Sequence, residues 1–359
     1  MVNKIDKAFH PGLYLREYLE ELQITQDEFA KRLDISGKQL SLILNESASI
    51  TADIAYKLSK LIGTSMELWL NMQSGYDAYK VKLAALKEYE EEKSIYRMID
   101  KTFLGELGII NKDDNINDAI PKLREASLVS SLLNHKQKDI FSFHTDSFTE
   151  EKIENTVCKN VWVSIASLMA RKEEVAPFNE TKLLSYVDTF KKMTKQSSSE
   201  FYPEMKKILN ECGVAFVILP PLKKSNVSGV VKWFSNDKVM MAINTKGSYN
   251  DRFWYVFFHE LKHIFQKVKR KMITDHEGEI SALEAILEYE ADAYANETLI
   301  PSEYLKELEN YEESSIITLS DKYNIHPGIV VGRLQKNNKI KHSQLNHLKE
   351  RIEININCN

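Results

Sequence analysis

Short segments with helical spacing of apolar residues alternate with polar turns along the first 70 or so residues. The spacing is seen in "GLYLREYLEEL", "TQDEFAKRLD" and "GKQLSLILN". Thr25 and Glu28 form a T-x-x-E capping box, Ser36 can cap the next helix, and Gly63 ends a fourth. A fifth helix is predicted after Ser65. The pattern therefore predicts a compact domain of five short helices.

A charged helical connector is predicted over residues 78–100, and a mainly helical, polar pattern continues to about residue 200. The apolar period then changes towards two. From residue 213, "GVAFVILPPL", "VSGVVKWF" and "KVMMAINT" are typical of strands separated by turns. This change of period predicts a small sheet.

Two longer helices and a helical tail are predicted after the sheet. An S-x-x-D cap from Ser248 to Asp251 begins an aromatic-rich helix, and a second helix runs from about Glu279 to Thr298. We therefore predict a multidomain, mainly α protein. Its predicted domains are residues 1–85, a helical middle region over 86–200, and an α+β domain over 201–359.

Composition and charge exclude several classes of protein. The chain has 359 residues, 43% of them hydrophobic, and a net charge of -4, which gives no overall basic field for nucleic acid or membranes. Its three widely spaced cysteines favour a reducing compartment over a disulfide framework. We find neither the apolar segment of a signal peptide nor a run of about 18 apolar residues. A soluble, cytoplasmic protein without membrane contact is expected.

The stretch "FFHELKHIFQ" carries the first chemical pattern. His259 and His263 lie four residues apart, about 6 Å along a helix and on one face, so both imidazoles can reach one ion. Glu260 lies one position round, where it can act as general base rather than ligand. This H-E-x-x-H spacing predicts a zinc site, although the same residues could be ordinary polar positions on a charged helix.

A catalytic zinc ion needs a third protein ligand, and "EYEADAYANETLIP" offers Glu288. Asp292, four residues later on the same face, can accept a hydrogen bond from a ligand histidine. Glu290 points some 200° away, and Glu284 is a weaker rival. A solvated acidic face would explain Glu290 but explains the Glu288–Asp292 spacing less well.

Residues 213 to about 335 resemble the ImmA/IrrE family of metallopeptidases. The matching blocks are "HELKH", "EYEADAYANETLIP" and "NIHPGIVVGRLQ", in that order. The resemblance implies a zincin-like, gluzincin-type α+β peptidase domain that holds one Zn2+ per chain. It implies His259, His263 and Glu288 as ligands and Glu260 as general base. Asp292 stands where the family commonly has Asn, and Lys262 stands where glycine is frequent.

A peptidase also needs a donor for the developing oxyanion. Tyr294, His276, His326 and Arg333 are candidates, and the sequence does not choose among them. The strand segment "KVMMAINT" is a candidate edge for holding an extended peptide by β-augmentation.

The first 80 residues resemble HigA-type antitoxins of the XRE (Cro/CI) helix-turn-helix superfamily. The residues that carry the resemblance include "TQDEFAKRLDISGKQLSLILN" and "SITADIAYKLSKLIGTS". The resemblance implies a recognition helix from about Ser36 to Leu44, with Gln26 at a phosphate. The residues that would face the major groove are Ser36, Gly37, Lys38, Gln39 and Ser41.

The charge of this domain argues against tight DNA binding. Residues 1–85 contain 10 Lys plus Arg and 11 Asp plus Glu, a net charge of -1. Lys31, Arg32 and Lys38 can still form a local basic patch, whereas Glu46 follows the recognition helix. The alternative is a helix-turn-helix retained for dimerisation or toxin docking.

The leading hypothesis is a cytoplasmic DNA-binding regulator that carries a zinc-dependent endopeptidase. The family resemblance implies cleavage of a repressor or antitoxin in a stress or phage-related response. The target would be a separate protein or the chain's own N-terminal half, cut in the 78–100 connector. Operator DNA, a toxin and a second copy of the chain are expected as further partners. The alternative is an antitoxin or transcriptional regulator whose peptidase fold is a non-catalytic sensor or scaffold.

Overall fold

The structure is a computed structural model that describes residues 7–137, 153–244, 249–267, 277–308 and 311–354. The chain divides into two compact units, Met1–Glu91 and Glu92–Asn359. The predicted boundary after residue 85 lies close to this division. The predicted boundary after residue 200 falls inside the second unit, and the separate middle domain stays a prediction.

The first unit is all-helical, as predicted. Its helices are α1 (Pro11–Leu22), α2 (Gln26–Leu33), α3 (Gly37–Leu44), α4 (Ala52–Ile62) and the start of α5 (Met66–Tyr96). The Thr25 hydroxyl accepts a hydrogen bond from the Glu28 backbone N–H at 3.2 Å, and the Ser36 hydroxyl accepts one from Gln39 at 3.1 Å. Gly63 ends α4 in the left-handed conformation, with φ of 78°. These caps confirm the predicted helix starts and the predicted stop.

The buried side chains of this unit form a single core between the helices. Its members include Leu15, Phe29, Leu33, Leu40, Ile43, Ile54, Leu58 and Trp69. They recur at helical spacing in the sequence, so each helix turns one apolar stripe inward.

The fifth helix differs from the prediction of a short helix followed by a separate connector. α5 runs for 31 residues from Met66 to Tyr96 without interruption. The segment contains no proline, and its many Lys, Glu, Leu and Ala residues have high helix propensity. The predicted connector is therefore helical as far as Tyr96, and most of it is exposed.

Beyond the end of α5, six α-helices and one short 3-10 helix, Leu132–Lys136, precede the sheet in the described part of the second unit. The α-helices are α6 (Lys101–Glu106), α7 (Ile116–Ser127), α8 (Ile153–Lys172), α9 (Glu180–Ser185), α10 (Val187–Met193) and α11 (Ser198–Glu211). α8 is buried on most of its faces, and both α8 and α11 pack against the first strand. The sheet is therefore packed against two helices that come before it in the chain.

The sheet has three strands, β1 (Val214–Leu219), β2 (Gly229–Trp233) and β3 (Val239–Asn244), in the order β1-β3-β2. β3 is parallel to β1 and antiparallel to β2. All three predicted strands are confirmed. The prediction that "KVMMAINT" forms an edge is wrong, because this segment is the central strand β3, and β1 and β2 are the two edge strands of the described sheet. A parallel pairing between β1 and β3 has no local signal in the sequence.

The remaining helices are α12 (Asn250–Gln266), α13 (Glu277–Leu299), α14 (Ser302–Leu305), α15 (Glu313–Lys322) and α16 (Pro327–Lys336). α12 packs against α13, α16 and the sheet, with Phe253, Trp254, Phe257 and Phe258 almost fully buried. Ser248 of the predicted cap lies outside the described residues. Tyr249 occupies the N-cap position and makes no side-chain capping bond. Among the described residues, no helix is both long and apolar enough to cross a membrane.

Candidate metal centre

α12 brings the two predicted histidine ligands together. Because they lie four residues apart on a straight helix, His259 and His263 point to the same side, and their Nε2 atoms are 3.0 Å apart. The aromatic residues on the opposite face of α12 anchor the helix in the core. The His263 side chain is 5% exposed and that of His259 13%, so both imidazoles are largely withdrawn from water.

Glu288 reaches the same point from α13. Its Oε2 atom lies 3.2 Å from Nε2 of His259, and its Oε1 atom lies 3.4 Å from Nε2 of His263. Ala291 and Ala295 on α13 are fully buried, so the two helices can approach closely, as the small-residue pattern predicts. The nearby Glu290 does not reach the histidines: it lies 3.6 Å from Lys262 and accepts a hydrogen bond from Nε2 of Gln266 at 3.2 Å. The side chain of Glu284 is outside the described part.

The three side chains fit a zinc ion. One ligand atom from each of His259, His263 and Glu288 can be chosen so that all lie within 4.8 Å of one another. Ligand atoms at zinc–nitrogen and zinc–oxygen distances lie about 3.3 Å apart around a tetrahedral ion. The two Nε2 atoms are 3.0 Å apart, and each lies 3.2 to 3.4 Å from one of the two Glu288 oxygens, which is close to that spacing. Two imidazoles and one carboxylate also form a donor set that leaves a fourth position open.

The local charges favour a cation at this point. Burial lowers the pKa of His259, but hydrogen bonds to Asp292 and Glu288 outweigh burial and raise that pKa to about 10. Burial raises the pKa of Glu288, and the two histidines outweigh it and hold that pKa well below its usual range. Without a metal, the carboxylates therefore retain protons on the imidazoles. A divalent cation would replace those protons.

Both histidines are held in place by hydrogen bonds at Nδ1, the ring nitrogen that faces away from Glu288. Nδ1 of His259 lies 3.0 Å from Oδ1 of Asp292, and Nδ1 of His263 lies 2.8 Å from Oε1 of Gln266. The Tyr255 hydroxyl donates a short hydrogen bond to Asp292. These partners favour the tautomer with a proton on Nδ1, which leaves each Nε2 available for a metal. Asp292 lies where the sequence predicts it, whereas Tyr255 and Gln266 were not predicted.

A cavity of about 310 Å³ opens over the three side chains. Glu260 lines it and is 7% exposed, next to Gly229 at the start of β2. A Cβ atom added at Gly229 would come within 2.5 Å of the Glu260 carboxylate, so the strand and the carboxylate are in close contact. Ser228 and Val231 also line the cavity. The edge strand therefore forms one wall of the site.

The predicted oxyanion donors lie elsewhere. Tyr294 makes a side-chain hydrogen bond with Thr298, His326 caps α16, and Arg333 lies 3.8 Å from Glu297. None of these three lines the cavity, and His276 lies outside the described residues. The described cavity walls instead carry Arg252, Tyr255 and Lys336 as polar donors. Sequence periodicity could not show this, because Arg252 and Tyr255 come from α12 and Lys336 from the far end of α16.

In the first unit, α2 and α3 have the arrangement expected of a helix-turn-helix. Leu40, Ile43 and Leu44 anchor α3 in the core. The predicted base-reading residues comprise Ser36, Lys38 and Gln39, which are exposed, and Gly37 and Ser41, which are half-buried. Gln26 is exposed at the first position of α2. Of the predicted basic patch, Arg32 is paired with Glu28 at 2.5 Å.

Comparison with known proteins agrees with this geometry and identifies the class of the first unit as helix-turn-helix. A family model described as helix-turn-helix matches residues 15–69. Virulence-associated protein I of Dichelobacter nodosus is 37% identical over 93 residues, which are 26% of this chain and 79% of that protein. The chain belongs to the helix-turn-helix family, with an N-terminal domain of the XRE/HigA antitoxin-like type.

Two further relatives cover a similar share of the chain. Antitoxin HigA-1 of Vibrio cholerae is 30% identical over 76 residues, 21% of this chain and 68% of that protein. A Pseudomonas aeruginosa protein solved in complex with its operator DNA is 32% identical, with a TM-score of 0.23, over 24% of this chain and 94% of that chain.

Proposed function

We propose that the chain is a DNA-binding regulator whose second unit is a zinc-dependent endopeptidase of the ImmA/IrrE type. The observation that carries the proposal is the triangle of donor atoms from His259, His263 and Glu288, with Glu260 in the wall of the same cavity. A purely structural cluster would not require a carboxylate on the adjacent cavity wall as well as Asp292 behind His259.

In this proposal, His259, His263 and Glu288 hold the ion. Bound zinc would supply Lewis-acid polarisation of the scissile carbonyl and would lower the pKa of a water molecule. Glu260 takes the proton from the attacking water and passes it to the leaving amine. Its low exposure and its contact with Gly229 keep the carboxylate in one place, so little reorganisation is needed. Arg252 and Lys336 are the cationic side chains of the cavity that can face developing negative charge.

The edge strand suggests how a protein substrate is held. Within the described sheet, β2 pairs only with β3. Its residues Gly229 and Val231 line the cavity, together with Ser228, which directly precedes the strand. An extended segment of substrate can add to the outer edge of β2 and pass over Glu260. The substrate class is a repressor or antitoxin-type regulator. A separate target is favoured over the chain's own 78–100 segment, because α5 would have to unwind before it could lie in this groove.

For the first unit, operator DNA is the proposed ligand, and the exposed start of α3 is the proposed reading surface. The likeness to the antitoxin HigA-1 supports a toxin as a second partner. A homodimer, which would place two recognition helices on two half-sites, stays a prediction.

The second candidate function is an antitoxin or transcriptional regulator whose second unit only senses a ligand or acts as a scaffold. The observation that favours it is the set of relatives described above, which are named as an antitoxin and as proteins without a stated enzymatic role. Zinc content and the effect of removing Glu260 separate the two functions.

The test begins with zinc content, measured by inductively coupled plasma mass spectrometry after purification without chelators. We expect about one zinc per chain in wild type and in Glu290→Ala, and clear loss in Glu288→Ala. Glu290 is the matched control because it lies two residues away on the same helix and contacts Gln266 and Lys262 but neither histidine. Little zinc in wild type would favour the scaffold function instead.

Cleavage is then measured on a proteome-derived peptide library. Glu260→Gln should lower cleavage at least about 100-fold while zinc content stays at the wild-type level, because the general base is lost and the ligands remain. Cleavage at the wild-type rate by this variant would rule out the proposed mechanism.

A further inference from the structure

A second cavity of about 390 Å³ lies beside the metal cavity, between α12, the end of α13 and α16. The two cavities share three wall residues, Arg252, Tyr255 and Lys336. A group bound in the second cavity would therefore lie next to a peptide bound over the metal centre.

The walls of this second cavity carry more positive than negative charge. Its cationic side chains are Arg252, Arg333, Lys336 and Lys349, and its only carboxylate among the described residues is Asp251. Nζ of Lys349 lies 2.6 Å from Asp251 and 2.8 Å from Oε1 of Gln335, so this lysine and this aspartate neutralise each other. The other cationic side chains of the lining are Arg252, Arg333 and Lys336.

Arg333 is the most buried of these three side chains, since Arg252 and Lys336 are both exposed. Its side chain is 15% exposed, and Glu297 lies 3.8 Å away, beyond hydrogen-bond distance. Within the described residues, Nε of Arg333 has no hydrogen-bond partner, and burial lowers the pKa of the guanidinium. A largely buried cation whose nearest carboxylate makes no hydrogen bond to it is only partly compensated, and a bound anion would offset the remaining cost in free energy.

Part of the remaining lining is apolar, beside the polar side chains of Asn296, Gln335 and His342. Leu299, Ile300 and Ile329 are each less than 5% exposed and form the wall of the cavity. A guanidinium beside aliphatic walls suits a carboxylate carried on a short hydrocarbon stem, since the planar fork of arginine can bind both carboxylate oxygens. A bare, strongly hydrated inorganic anion would not use these walls.

We propose that this second cavity binds a carboxylate on a short apolar stem, with Arg333 as its principal partner. Because the cavity adjoins the metal centre, the carboxylate is assigned to an acidic side chain of the protein substrate close to the scissile bond. This assignment of the source rests on the proposed peptidase function. The carboxylate site itself does not.

The first experiment tests the site without catalysis. Glutarate is titrated into the metal-free full chain and its binding is followed by saturation-transfer NMR, with inorganic phosphate as a second probe. Removing the metal prevents the probe from binding to zinc. We expect saturable glutarate binding that is at least about tenfold weaker in Arg333→Met, unchanged in Arg171→Met, and intermediate in Arg333→Lys. Arg171 is exposed and outside the second cavity, which makes it the matched control.

The second experiment identifies the source of the carboxylate. Cleavage sites in the peptide library are compared between wild type and Arg333→Met. A preference for Asp or Glu near the cut that disappears in the variant assigns the cavity to the substrate. Arg333-dependent glutarate binding without cleavage of any peptide would support the carboxylate site, with a free small carboxylate as its ligand, while the peptidase function fails. Absence of saturable glutarate binding, binding unchanged by Arg333→Met, or stronger binding of phosphate would overturn the proposal.

Discussion

At the residue scale, the chemistry of the candidate site depends on side chains that the motif does not include. The pair His259 and His263 follows from spacing alone, because ligands four apart on a helix share one face. Glu288 lies on a different helix, and its assignment needed the Glu288–Asp292 pattern and the family resemblance. Tyr255 and Gln266, which hold Asp292 and His263, were missed. A signal for both was present, since Tyr255 lies four residues before the first histidine and Gln266 three after the second. These positions could be interpreted only with the structure, which shows which face of α13 lies against α12.

Gly229 matters because its backbone lies very close to the Glu260 side chain, not because it takes part in the chemistry. A methyl group there would lie 2.5 to 2.8 Å from three atoms of the Glu260 side chain, so the carboxylate must move. We predict that Gly229→Ala lowers peptide cleavage about 10- to 100-fold with unchanged zinc content, because a small displacement of a general base is costly. Gly105→Ala is the control, since a Cβ atom there meets nothing within 4 Å. Wild-type turnover by Gly229→Ala would show that the position of Glu260 is not critical.

At the scale of elements, the local sequence pattern predicts which segments form helices and strands better than it predicts how those elements are arranged. The three strands and the two site helices follow from apolar period and from caps, which act within a few residues. The strand order β1-β3-β2 cannot be predicted from these local signals. No turn joins β1 to its partner β3, and α8 and α11 pack against β1 instead. The edge of the sheet, and with it the proposed substrate groove, was therefore assigned to the wrong strand.

The recognition helix α3 allows a prediction that separates base reading from phosphate binding. Gln39 is exposed near its start, whereas Lys31 is exposed on α2. On DNA selected by the full chain from a random library, Gln39→Ala should cost about 1–3 kcal/mol and relax the preferred sequence. Lys31→Ala should weaken binding to all sequences and lower the slope of log affinity against log salt by about 1.

Fluorescence anisotropy at several salt concentrations measures both effects. Lys87→Ala, an exposed position on α5, is the control and should bind like wild type. If Gln39→Ala retained full affinity and sequence preference, α3 would not be the reading helix, and a role in dimerisation or toxin docking would be favoured for the first unit.

At the scale of the whole molecule, the two candidate functions belong to different units. The matched helix-turn-helix residues 15–69 lie in Met1–Glu91, and the metal centre lies in Glu92–Asn359. The division falls within α5, where neither composition nor a turn signal marks it, so a boundary at residue 85 was as close as sequence could come. The position of the division within α5 depends on the unit that each turn of this helix contacts. Such contacts join residues far apart in the sequence, so local sequence patterns do not show them.

This separation predicts that a metal stabilises one unit and a core substitution the other. Consider a ligand that binds only the folded state and is present at a free concentration of about 1,000 times its Kd. Such a ligand adds about 4 kcal/mol to the free energy of unfolding, or roughly 10 °C to the Tm of a unit of this size. Removing zinc should therefore lower one calorimetric transition of the full chain by roughly that amount. Leu15→Ala, in the core of the first unit, should lower the other by a similar amount, since the side chain is fully buried.

His259→Ala is the control, because its second-unit transition should no longer respond to zinc. Both transitions moving together in every experiment would mean that the chain unfolds as a single cooperative body. In that case metal binding in the second unit would also stabilise the helix-turn-helix, and the occupancy of the metal centre would be thermodynamically linked to DNA binding. Independent transitions would mean that metal binding does not stabilise the helix-turn-helix, so that only the proposed cleavage of a regulator could connect the candidate metal centre to DNA binding.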